Sequence, residues 1–165
     1  MSIVKALRFP ASVQWRGDRL TDVSAPGKPT LEVVTPPEFR GGVPGKWSPE
    51  ELLVAATTSC FALTLAAVAE RGGVELEAVK VDGLGHVERG QDGRFRFVAI
   101  ELTVGVETDD EALLATENIV FEAERRCILS LALDVPVHVR VVHPVAAGVA
   151  SGARATASDR KEPSV

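Results

Sequence analysis

The chain carries two cysteines, Cys60 and Cys127, and few other groups suited to covalent chemistry. A thiol attacks only as its thiolate, and an anion in apolar surroundings needs a cation beside it. Arg40 is the candidate cation, because it sits in a Gly/Pro-rich loop just ahead of the segment that bears Cys60. A carboxylate can orient a guanidinium through a two-pronged contact, and Glu50 is the candidate for that role. Arg16 and Arg19 are rival cations nearer the N-terminus. Ten residues of straight helix span about 15 Å, so Glu50 cannot touch Cys60 on one straight rod. Either the helix kinks early or Glu50 acts through Arg40, across an interface between two copies. If the segments bearing the two cysteines cross at those positions, the thiols meet, and a sulfenic acid on one can condense with the other to a disulfide. The plainer alternative is that both thiols are small buried hydrophobes, with Arg40 and Glu50 a solvated surface pair.

The segment holding Cys60 is the best-marked element of the chain. Ser48 suits an N-cap, Pro49 the first helical position and Glu51 the third residue of a capping box. The run that follows is nearly all apolar or small, and Gly72 and Gly73 stop it. A helix apolar on almost every side is buried in a protein, and one thin layer cannot cover it, so a homodimer is expected. A second helix is expected over 110–130, capped by Thr108 to Glu111 and carrying Cys127. Strands are expected at 3–9, 12–15, 20–23, 31–35, 76–88, 95–107 and 135–141, with a bend or bulge at Gly83 and Gly85. The order predicts an α+β fold: two apolar helices packed on antiparallel sheet. One domain over 1–145 is expected, and the Ala/Gly/Ser-rich, then charged, residues 146–165 are expected to form a disordered tail.

Bulk properties exclude several functions. The net charge is −5 over 165 residues, with 5% aromatic content and no Tyr. Nucleic acid and anionic membrane surfaces are therefore not expected partners. The apolar helix is flanked by Glu50, Glu51, Glu70 and Arg71, as in a buried soluble helix rather than a membrane span. The N-terminal Met-Ser-Ile-Val-Lys has no apolar export region, which leads to an expected cytoplasmic location, where cysteine pairs are more often redox-active than structural. His86, His138 and His143 have no ligand spacing, and CxxC is absent, so no metal or other cofactor is expected. Gly41 to Gly45 does not read as a phosphate loop.

The runs Thr35-Pro36-Pro37-Glu38-Phe39-Arg40-Gly41-Gly42, Ser48-Pro49-Glu50-Glu51-Leu52-Leu53 and Ser59-Cys60-Phe61, with Cys127-Ile128 and Ser130-Leu131, resemble the OsmC/Ohr family of thiol-dependent peroxidases. The resemblance covers roughly residues 12–143. It implies an intertwined homodimer with its sites at the interface, a peroxidase for organic hydroperoxides, and an external dithiol as reductant. By the family's pattern Cys60 would be the peroxidatic thiolate and Cys127 the resolving thiol, joined as a Cys60–Cys127 disulfide. Glu50 would hold the arginine, which is Arg40 in one family pattern and Arg16 or Arg19 in the other. Phe39, Trp47, Phe61, Leu63 and Phe121 are candidates for an apolar wall favouring alkyl peroxides. Two other functions stay open: a catalytically silent dimeric binding or interaction module whose cysteines only pack, and a redox sensor using the same disulfide.

Overall fold

A computed structural model of the chain describes residues 6–107 and 113–142. The expected tail at 146–165, the cap at 108–111 and His143 lie outside the described residues.

The expected capping box forms and starts helix α1 (Pro49–Gly72). The Ser48 hydroxyl accepts from the Glu51 N–H at 3.1 Å, and the Ser48 N–H donates to Glu51 Oε2 at 2.8 Å. Gly73 ends the helix in the left-handed region at φ 69°, a conformation that other residues adopt at a cost. Its buried residues are Thr57, Phe61, Leu65 and Ala69, every fourth position and so one stripe. That stripe packs on a sheet whose central strand is β5 (Phe95–Glu107). Ile100, Leu102 and Val104 alternate inward from β5 and are completely buried.

β5 pairs antiparallel with β4 (Ala78–Arg89) over almost their whole length. No bulge lies at the glycines. The register runs unbroken through Gly83↔Leu102 and Gly85↔Ile100, and the bulge falls at His86/Val87 instead. The glycines serve packing. A Cβ on Gly83 would lie 2.1 Å from Thr58 Oγ1, and one on Gly85 2.6 Å from Val54 Cγ2, so α1 rests directly on the strand.

The second helix also differs from expectation. Helix α2 (Leu113–Arg126) ends before Cys127, and a short helix α3 (Ile128–Ala132) follows. Cys127 takes φ −66° and ψ 111°, an extended conformation between the two. Hydrogen bonds bridge the joint: the Cys127 N–H donates to Ala123 O at 2.9 Å, and Cys127 O accepts from the Leu131 N–H at 3.1 Å. The change of direction lets Leu129 and Leu133 pack on the core while Ile128 and Leu131 stay exposed. The chain then enters β6 (Val137–Val142), two residues later than expected, which pairs parallel with β5. The sheet is therefore mixed rather than antiparallel, because the α2–α3 segment carries the chain back before the last strand.

A separate antiparallel sheet, β1 (Ser12–Gly17), β2 (Leu20–Ser24) and β3 (Leu31–Val34), precedes α1. Residues 6–9, expected in a strand, have no regular structure. The fold is α+β as expected, with two three-stranded sheets and three helices among the described residues.

Candidate active site

Cys60 lies in the middle of α1, half-buried, and packs against the apolar core cluster. Cys127 is a fully buried member of that same cluster. The two thiols thus come from facing elements to one apolar body, and both are free.

Arg40 sits in the turn between β3 and α1. That turn is fixed by Phe39 N–H donating to Pro36 O at 3.0 Å and Gly42 N–H to Phe39 O at 2.9 Å. Only glycine fits at position 42, since a Cβ there would lie 2.0 Å from Pro36 O. The turn also seats Phe39 edge-on against Phe95, ring centroids 5.0 Å apart. Arg40 itself is exposed and makes no ion pair among the described residues. The rival arginines differ. Arg16 pairs with Asp22 at 3.3 Å. The Arg19 side chain lies over Gly41, next in sequence to Arg40, where a Cβ would meet its Nε at 3.4 Å. Arg19 and Arg40 therefore share one corner of the molecule.

Glu50 is the second residue of α1. Its Oε2 is buried and has no hydrogen-bond partner among the described residues. The helix runs on through Cys60 as one element, so no early kink carries Glu50 back to it. Within one chain neither Arg40–Glu50 nor Arg19–Glu50 forms an ion pair.

Glu50 lines a groove of about 990 Å³ between α1, β4 and the loop before α1. Phe39 and Trp47, two of the candidates for an apolar wall, line it. Phe61 instead belongs to the core, and Leu63 and Phe121 are exposed. Phe95, Phe97 and Val54 line the groove without having been expected there. The pair Gly83 and Gly85 was the available signal, because close approach of a helix leaves a trough beside it. Neither cysteine lines the groove. Its charged lining, Glu38, Glu50, Glu51 and Asp82, is wholly acidic. His86 bonds Glu101 at 3.1 Å on the other face of the sheet, and His138 is exposed.

Residues 42–142 match the OsmC family, described as OsmC-like protein. This chain belongs to the OsmC family. Among its relatives is YmaD of Bacillus subtilis (strain 168), named an uncharacterized protein. It is 29% identical over 134 residues, which span 76% of this chain and 86% of YmaD. An OsmC-like protein of unknown function from Vibrio cholerae superposes with a TM-score of 0.75 at 18% identity, covering 83% of this chain and all of that one (100%). An organic hydroperoxide resistance protein OsmC from Legionella pneumophila gives 0.68 at 23% identity, covering 83% and 97%. These likenesses establish the OsmC-like fold.

Proposed function

We propose that this OsmC-family chain is a thiol-dependent peroxidase that reduces organic hydroperoxides. The observation that carries the reading is the convergence of Cys60 and Cys127 on one apolar cluster from facing elements. The Cys60 thiolate attacks the peroxide oxygen, the O–O bond breaks and an alcohol leaves. Cys60 becomes a sulfenic acid, Cys127 condenses with it to a disulfide, and an external dithiol returns both to thiols.

The partnerless carboxylate of Glu50 and the free guanidinium of Arg40 support a homodimer in which a second copy completes each site. An unpaired buried carboxylate oxygen is costly, and a guanidinium supplied by the other subunit would satisfy it. Exposed apolar residues on α1 and β1, such as Leu63 and Trp15, give the second copy a surface to cover. Arg40 is the favoured cation, with Arg19 beside it as the alternative. The cytoplasm, with its dithiol reductants, is the proposed location.

The test is to mix reduced protein with cumene hydroperoxide and titrate the thiols. Two thiols should be lost per chain, alcohol should form, and Cys60→Ser should be inactive. An unchanged thiol titre, or turnover by Cys60→Ser at the parent rate, would overturn the reading.

A further inference from the structure

The turn that carries Arg40 has few ties of its own. Its backbone bonds, Phe39 N–H to Pro36 O, Gly42 N–H to Phe39 O and Val43 N–H to Thr35 O, run from one part of the turn to another and fix its shape. Its base is tied to the first sheet, where the Thr35 N–H donates to Arg19 O at 3.3 Å. Among the described residues, no side chain from Pro36 to Gly45 makes a hydrogen bond or an ion pair.

The tip is held by a ring instead. Phe39, next in sequence to Arg40, meets Phe95 edge-on, with the ring planes at 81°. An aromatic pair in that geometry attracts beyond the area it buries. The Arg89 guanidinium lies over the Phe95 ring, 5.8 Å from its centroid. Arg89 is held in turn, its Nε donating to Gly93 O at 3.0 Å. The hairpin loop between them is closed by its own backbone: Gly90 N–H donates to Arg94 O and Gly93 N–H to Gly90 O, both at 2.9 Å. The Phe39–Phe95–Arg89 stack therefore joins the arginine-bearing turn to a closed hairpin of the other sheet. Phe95 does little else for the fold. It is the first residue of β5 and is 55% exposed, whereas Phe97 on the same strand packs against the core.

We propose that Phe95 is a positioning residue for Arg40: through Phe39 it sets where the guanidinium stands, and Arg89 steadies the ring that does so. Phe95 touches no reacting atom. Its effect on the thiol rests on the reading above, in which Arg40 serves Cys60, whereas its hold on the turn does not.

The full-length protein is followed by amide hydrogen exchange. In Phe95→Ala the Phe39, Gly42 and Val43 amides should exchange about fivefold faster, the scale of one lost aromatic pair, while those of Phe61 and Leu65 in α1 keep the parent rate. Phe95→Tyr keeps the ring and should match the parent. Parent rates in the turn of Phe95→Ala, or equal acceleration in turn and helix, overturn the proposal. In a Cys127→Ala background Cys60 is the only thiol. There Phe95→Ala should slow its alkylation by iodoacetamide about fivefold at about pH 7 and leave the rate at about pH 10 unchanged, because only the thiolate reacts and alkali forms it without a cation. Phe95→Tyr should again match the parent. Arg40→Ala should act like Phe95→Ala, and the double variant should go no further than either. If Arg40→Ala slows alkylation and Phe95→Ala does not, the proposal is overturned and Arg40 keeps its role. If neither slows it, the choice of Arg40 and the proposal fall together. Slowed alkylation by both, in a protein whose parent consumes no cumene hydroperoxide, upholds Phe95 and overturns the peroxidase reading instead.

Discussion

The two sheets have the same number of strands and opposite fates. The β4–β5–β6 sheet is roofed by α1 and α2, and its central strand contributes Ile100, Leu102 and Val104 at zero exposure. The β1–β2–β3 sheet carries apolar residues too, with Val13 opposite Val23 and Trp15 opposite Thr21. Yet Val13 and Trp15 are 64% and 70% exposed. The segment from α1 to β6 finishes its own core, and the first sheet does not. The chain thus holds a self-sufficient unit joined to one that needs a further surface. The candidate site is divided along the same line: the thiols belong to the finished half and the arginines to the unfinished one.

Substitutions can break that contrast. Phe61→Ala should be the most damaging, costing about 3–5 kcal/mol by opening a cavity in the finished core, read by urea unfolding. Gly83→Ala should cost about 1–3 kcal/mol, because its Cβ would collide with Thr58 Oγ1 and lift α1 from β4. A neutral Gly83→Ala would mean that the helix does not lie on the strand. Ser48→Ala should cost about 1 kcal/mol through loss of the capping box. Trp15→Ala should change the melting of dilute protein least, within about 0.5 kcal/mol, while sedimentation shows a shift towards single subunits. A large loss of stability from Trp15→Ala would place the first sheet inside the chain's own core and erase the difference.

What could be read from the sequence was what neighbouring residues decide. Ser48, Pro49 and Glu51 start α1 through contacts within one turn, and Gly73 ends it the same way. The break at Cys127 was not legible, because hydrogen bonds from Ala123 to Leu131 carry helical bonding across it and the apolar spacing continues. The parallel pairing of β6 was hidden too, since alternation in Val137, Val139 and Val141 reports which face is buried and not which way the partner runs. Gly83 and Gly85 were misread for a related reason: a strand glycine marks either a bulge or a close neighbour, and the neighbours, Thr58 and Val54, lie far back in the chain on α1. Within the candidate site, Cys60, Cys127, Arg40 and Glu50 stood out by type and spacing. Phe95 did not, because its contact with Phe39 joins segments far apart in the chain.

The parallel strand also bears on how the chain is made. Until Val137 to Val142 has left the ribosome, the Ile100 to Gly105 stretch of β5 lacks its partner on one margin, and the hairpin with β4 must wait for the last strand.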